Sequence, residues 1–269
     1  MSTITIPEPR SHDPLVYSGD LRVSAFWWRE VRNWGDELTP LLLKRFSHVD
    51  VTWAEPDKAD IACVGSILGN LVKPTFTGVI LGSGKLFENS LIPKKATILS
   101  LRGPLTARGV RGNYVLGDPA LLADELVTVE TKKHELGLVR HWSDTTSLAK
   151  VAPDGTVTID PRFVKYNPVL INHYASALSV VRQIGECKKI ISSSLHGLII
   201  ADAFGIPRRF EPGAKWNKEG GDFKVRDHNL AVGVEHKIGV TQQADWNRVA
   251  DLKTCLFEAF ETFQEMVAL

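Results

Sequence analysis

The sequence predicts an α/β fold on three observations. Short apolar, β-branched runs alternate with amphipathic helical patterns, Gly- or Ser-containing turns separate them, and the alternation restarts after a polar stretch near residue 130. Such alternation is the signature of helices laid over a mostly parallel sheet, and its restart implies two similar α/β halves.

The elements follow in order. Residues 1–20 are rich in Pro, Ser and charge and lack the basic and apolar runs of a secretory signal, so they read as a tail or a covering strand. Leu21 to Trp28 (LRVSAFWW) reads as a strand, Asn33-Trp34-Gly35-Asp36 as a turn, and Glu37 to Phe46 as a helix. That helix has Leu38, Leu41, Leu42 and Phe46 on its apolar face and Asp36 as a natural N-cap. Strands are expected at Ile61 to Val64, Gly78 to Leu81 and Thr97 to Leu101. Each runs into small or polar residues: Gly65-Ser66, Gly82-Ser83-Gly84 and Arg102-Gly103-Pro104, with Leu116-Gly117-Asp118-Pro119 beyond. Val127 to Glu135 is polar, and Leu136 to Trp142 restarts with strand character, which divides the chain into 21–130 and 131–269. The second part reads as helix (His173 to Glu186), strand (Lys189 to Ser193), helix (from Leu195) and strand (Arg208 to Phe210). Thr241 to Leu269 closes it as one long helix with Val249, Leu252, Leu256, Phe257, Phe260, Phe263 and Met266 at helical spacing.

At 269 residues the chain can hold one large domain or two small ones. With 43% hydrophobic and 23% charged residues it resembles ordinary soluble proteins, which excludes a disordered, collagenous or coiled-coil chain. Thirty-two basic against thirty-one acidic side chains argue against a general nucleic-acid binder. Cys63, Cys187 and Cys255 are far apart, form no CxxC pair, and read as buried thiols in a reducing, cytoplasmic setting. No apolar run approaches the roughly 18 residues of a membrane span.

In open α/β sheets, ligands bind where strand ends lead into helix N-termini. Ile190 to Ile200 (IISSSLHGLII) is such a place: Ser194 or Ser193 caps a helix whose first turn suits phosphate or carboxylate, and His196 is either a satisfied histidine or an acid/base group. In Asn33-Trp34-Gly35-Asp36, Gly35 permits close backbone approach, and Asp36 either caps the helix or accepts a hydroxyl proton. Arg102 and Arg140 follow strands and either grip an anion or form ion pairs. Gly82-Ser83-Gly84-Lys85 fits neither a Walker A loop nor a dinucleotide fingerprint. No HExxH, Asp-rich loop or GxSxG elbow is present, so no metal site or serine hydrolase is expected.

Eight segments, taken together and in order, carry a resemblance. They are Asn33-Trp34-Gly35-Asp36, Gly65-Ser66-Ile67-Leu68, Gly82-Ser83-Gly84, Arg102-Gly103-Pro104, Gly117-Asp118-Pro119-Ala120-Leu121-Leu122, Ser192 to Ile199, Phe204-Gly205-Ile206-Pro207 and Phe223-Lys224-Val225-Arg226-Asp227. From about residue 23 to 232 the chain resembles the polysaccharide pyruvyl transferase family, in its exopolysaccharide ketal-forming branch.

The resemblance implies two Rossmann-like domains facing a cleft, as in GT-B glycosyltransferases. The N-terminal domain takes the acceptor side and the C-terminal domain, with its helix, the donor side. It also implies transfer of pyruvate from phosphoenolpyruvate to a sugar as a cyclic ketal, with no cofactor. His196 and Asp36 are then the catalytic candidates. Arg102, Arg140, Lys85 and Ser192, Ser193 and Ser194 are expected to hold the donor, and Asn33, Gly35 and Asp118 the acceptor. Many family members have Arg where this chain has Ser194, so the donor's cation must come from elsewhere: Arg102, Arg140, Lys85, Arg208 or Arg226. The partners implied are phosphoenolpyruvate and a saccharide, free or lipid-linked. A lipid-linked acceptor would bring a cytoplasmic enzyme to the inner membrane face. Two other readings stand beside this one: a glycosyltransferase using a nucleotide sugar, and a non-catalytic sugar-binding protein.

Overall fold

Two largely parallel sheets carry the chain. The computed structural model describes residues 21–144, 148–151, 156–172, 175–213, 215–216 and 220–269; the expected tail, 1–20, and the start of the helix expected at His173 lie outside them. The first sheet contains β1 (Arg22–Phe26), β2 (Asp50–Trp53), β3 (Ile61–Ala62), β4 (Val79–Leu81), β5 (Thr97–Leu101) and β6 (Val115–Leu116). They lie in the order β2-β1-β3-β4-β5-β6, every pair parallel. β3 and β4 are buried along their whole length, as central parallel strands must be when both faces are covered.

The second sheet has β7 (Gly137–Val139), β10 (Val169–Ile171), β11 (Ile190–Ser192) and β12 (Arg208–Phe210), with an antiparallel edge from β13 (Thr241–Gln242). Its order is β10-β7-β11-β12-β13. β8 (Ala149–Val151) and β9 (Val157–Ile159) form a separate antiparallel ribbon. The mixed α/β class with parallel sheets therefore agrees with the expectation, and the second sheet begins seven residues after position 130.

The helices are α1 (Leu38–Phe46), α2 (Pro161–Val164), α3 (Ala177–Gly185), α4 (Leu195–Ala203), α5 (Phe223–Ala231) and α6 (Trp246–Ala268), with a 3-10 run at Pro119–Leu126. α4 is buried on every side, from Leu195 to Ala203. A helix apolar all round belongs in the middle of a structure. It packs on β11, α3 and the 3-10 run, and one continuous core links Val23 and Leu38 of the first half with Val139, Val180 and Leu198 of the second.

Three details differ from the expectation. α1 starts behind Glu37, and Asp36 makes no capping contact. α6 begins at Trp246, because Thr241 and Gln242 pair as β13. α6 also packs on the first sheet, not the second: it lies against β5, β6, the 3-10 run and α1. There Phe46 meets Phe257 and Phe260, and Ser47 Oγ donates to the Phe260 carbonyl at 2.8 Å. Of the cysteines, Cys63 and Cys187 are buried and Cys255 is half-buried.

Candidate active site

The turns that leave β1, β3, β7 and β11 open toward one cleft of about 270 Å³. Its wall includes Trp28, Asn33, Asp36, Ser66, His141, Trp142, Ser194, His196 and Lys224. This is the carboxyl end of the strands, where side chains meet unpaired helix starts.

The Asn33–Asp36 turn is shaped for His196. Asn33 Nδ2 donates to Asp36 Oδ2 at 2.7 Å, and the Gly35 amide donates to Asn33 Oδ1 at 3.3 Å. A Cβ on Gly35 would fall 1.9 Å from His196 Nδ1, so only glycine lets the imidazole lie against the chain here. Gly65, at φ +118°, gives Asp36 the same clearance: a Cβ there would lie 2.6 Å from Oδ1. The Trp34 indole meets the imidazole edge-on, with centroids 6.0 Å apart. His196 Nε2 ends 3.9 Å from Asp36 Oδ1 and has no hydrogen-bond partner.

Burial sets these two groups in opposite directions. It raises the Asp36 carboxyl from 3.8 to about 8, with further upward pressure from Asp118 and downward pull from Lys224 and the Asn33 hydrogen bond. Burial lowers His196 from 6.5 to about 3, helped by the positive charges of Lys224 and Arg102. At neutral pH the pair is therefore a carboxylic acid beside a neutral imidazole. Asp36 thus holds a proton to give, and once it has given it the new carboxylate, 3.9 Å away, raises the basicity of the imidazole.

The same shifts make stability depend on pH. A carboxyl raised in the fold binds its proton more tightly than in the unfolded chain, so its contribution is lost as pH rises from 3.8 to about 8. The lowered His196 acts in the opposite sense between about 3 and 6.5, so the two offset each other from 3.8 to 6.5. From pH 6.5 to 8 Asp36 is the member of this pair that still titrates, and its share of the slope in a denaturant titration should be a fall in stability of up to about 1.4 kcal/mol per pH unit. Asp36→Asn should flatten that slope; an unchanged slope would assign it to another group.

The other expected site residues divide between the wall and the interior. Asn33, Asp36, Ser194 and His196 face the cleft, and Gly35 backs it. Ser194 occupies the N-cap of α4 without a side-chain capping bond. Ser192 Oγ accepts from the Ser194 amide at 3.0 Å, and Ser193 Oγ donates to Asp144 at 2.7 Å, so both are spent on the turn itself. Asp118 is fully buried behind Asp36 and caps the 3-10 run through the Ala120 amide at 3.0 Å, so it offers no direct acceptor contact.

The arginine expected to grip the donor lies inside the protein. Arg102 is fully buried and donates from Nε to Asp227 Oδ2 (3.1 Å), from Nη1 to Ser66 Oγ (2.6 Å) and from Nη2 to the Lys85 carbonyl (2.7 Å). Gly84 makes room for it, since a Cβ there would lie 2.1 Å from Cζ. The Gly82-Ser83-Gly84 loop thus wraps a guanidinium. Arg140 is buried and donates to the Ala149 carbonyl at 2.8 Å, Arg208 pairs with Asp202 in the interior, and Lys85 faces a different groove.

The cation that does line the cleft is Lys224, in a motif noticed in the sequence but given no role there. Lys224 and Asp227 are three apart on α5 and share a helix face. Asp227 is tied to the Arg102 loop, which carries Lys224 to the cleft. Trp28 and Trp142, from opposite halves, meet there at 5.2 Å between centroids.

Residues 84–209 match the family model described as polysaccharide pyruvyl transferase. The succinoglycan biosynthesis protein ExoV of Rhizobium meliloti (strain 1021) is 30% identical over 199 residues, which cover 68% of this chain and 57% of that protein. The uncharacterized protein L143 of Acanthamoeba polyphaga mimivirus is 29% identical over 184 residues, covering 64% of this chain and 60% of that one. The chain thus spans less than two thirds of the length of these curated relatives. Among solved structures, a functional uncharacterized protein, KP1_0663, of Klebsiella pneumoniae subsp. pneumoniae NTUH-K2044 aligns with a TM-score of 0.42 at 13% identity, over 77% of this chain and 88% of that one.

Proposed function

We propose that this chain, which matches the polysaccharide pyruvyl transferase model over residues 84–209 and is 30% identical to ExoV over 199 residues, transfers pyruvate from phosphoenolpyruvate to a saccharide as a cyclic ketal. The observation that carries this reading is the pairing of Asp36 with His196 across 3.9 Å, their acidities pushed apart, on a cleft that also holds Lys224.

In this mechanism Asp36 gives its proton to the methylene carbon of phosphoenolpyruvate, which becomes a methyl group and leaves the adjacent carbon electrophilic. A sugar hydroxyl attacks that carbon, and its proton passes to His196 Nε2. The carbon–oxygen bond to phosphate then breaks, with the electron pair leaving on the phosphate. A second hydroxyl closes the ketal. Of the two protons released, one restores Asp36 and the other leaves with phosphate, so acid–base and electrostatic groups suffice without metal or cofactor.

Lys224 neutralises the donor's carboxylate or phosphate, in the role left open at Ser194. Trp28 and Trp142 offer aromatic surface to the sugar ring. Residues 21–130 are then the acceptor side and 131–269 the donor side of a GT-B-like pair of Rossmann-like domains in a cytoplasmic enzyme. Support for a cleft shared by two domains is the origin of its residues, with Asp36 following the first sheet's β1 and His196 the second sheet's β11; support for the donor side is Lys224, which comes from the second half.

Thermal shift tests the donor. Millimolar phosphoenolpyruvate should raise the melting temperature and nucleotide sugars should not, because a ligand that binds the native state stabilises it by mass action. A shift with a nucleotide sugar alone would replace this reading by glycosyl transfer. In steady-state kinetics, Lys224→Met should raise the KM for phosphoenolpyruvate by about ten- to a hundredfold, the worth of one hydrogen bond to a charged group. An unchanged KM would move the anion site off α5.

A further inference from the structure

Between Ile61 and Gly117 the chain carries seven lysines and arginines against one acidic residue, Glu88, although the whole sequence is balanced to +1. Five of those cations, Lys85, Lys94, Lys95, Arg108 and Arg111, line one groove of about 840 Å³ formed by the connections that lead into β4, β5 and β6. Lys94, Lys95 and Arg111 are exposed, and no carboxylate among the described residues pairs with them. Arg108 faces Glu88 at 3.7 Å.

Two large apolar side chains stand out beside the cations. Leu91, on the groove wall, is 66% exposed, and Phe87 is 39% exposed. The loop bearing Leu91 is held down firmly: a Cβ on Gly69 would lie 2.8 Å from the Leu91 amide nitrogen, so that backbone is in close contact. An apolar tip fixed outward among unpaired cations is the surface that an anionic interface rewards, because the charges meet head groups while the side chain leaves water. No helix among the described residues is long and apolar enough to cross a membrane.

We propose that this groove is a docking surface for an anionic lipid bilayer, with Lys94, Lys95 and Arg111 on phospholipid head groups and Leu91 in the interface. The inference stands apart from pyruvyl transfer. It bears on it in one respect: Lys85 lines the groove and the next residue, Leu86, lines the cleft, so a docked bilayer would lie next to the reaction site.

Co-sedimentation of the full chain with vesicles tests it. Mixed phosphatidylcholine–phosphatidylglycerol vesicles should pellet the protein at roughly 0.1 M salt and release it as salt rises, while pure phosphatidylcholine should not. The K94E/K95E/R111E variant should bind at least about a hundredfold more weakly, since each cation contributes roughly fivefold. Leu91→Ser should weaken binding several-fold with the salt dependence unchanged. All four positions are exposed; circular dichroism checks the fold, and glutamine replaces glutamate should the triple variant not fold. No binding to mixed vesicles, or equal binding by the triple variant, would overturn the proposal. So would binding that is indifferent to Leu91 and equally tight to soluble heparin, which would assign the groove to a polyanion.

Discussion

His196→Asn is expected to lower turnover by about a hundred- to ten-thousandfold, the usual worth of a positioned acid or base, with the KM for phosphoenolpyruvate within a few-fold of the parent. The imidazole earns that role from its setting: it lies in the notch at Gly35, edge-on to Trp34, with Nε2 unpartnered and aimed toward Asp36. Asparagine fits the same notch but cannot accept the hydroxyl's proton at neutral pH. Asp36→Asn should cost a comparable factor, and the double variant little more than either alone, because the two act as one unit on the same proton inventory. Phosphate release measured with donor and acceptor reads all three. Near-parental turnover in His196→Asn would remove this residue from the chemistry, and fully multiplicative losses would show that the pair acts independently.

Asp227→Ala should destabilise the protein by about 3–5 kcal/mol. Asp227 accepts from Arg102 Nε (3.1 Å), the Leu105 and Thr106 amides (2.8 and 2.9 Å) and Thr106 Oγ1 (2.6 Å). Both partners of its ion pair are fully buried. Alanine would leave a guanidinium without its counter-charge and two amides without acceptors. Against a total stability of about 5–15 kcal/mol, that loss is a large fraction. A urea melt measures it; a loss below about 1 kcal/mol would show that the loop re-pairs Arg102 when Asp227 is gone. Losing this anchor would also free α5, so the residual folded fraction should show the weak donor binding of Lys224→Met.

Much of the fold was legible where one physical rule acted alone. Thr97–Leu101 coincides with a strand read from the sequence and Ile190–Ser192 falls inside another, because each is a short apolar or β-favouring run bounded by turn residues. β2 was missed: Asp50–Trp53 alternates exposed and half-buried positions at a sheet edge, so its sequence is half polar. α5 was missed for the opposite reason. Asp227, His228 and Asn229 are polar yet buried, so the helix shows no apolar stripe, and their partners lie far away in sequence.

The site divided along the same line. Asp36 and His196 stand at strand-to-helix turns, where position alone marks them. Arg102 stands at such a turn too, but its partner is 125 residues distant, and no local pattern could show that it would be buried in an ion pair. Lys224 was hidden behind the same distance.

The crossing of α6 back onto the first sheet has a consequence for biogenesis. Residues 246–268 are synthesised well after β5, β6 and α1, yet they supply the cover for all three. Until they arrive, the nascent N-terminal half lacks the contacts that Phe257 and Phe260 make with Phe46 and Leu256 makes at Gly117. The first sheet gains this cover only once α6 has been translated, and until then its uncovered apolar surface is open to misassembly.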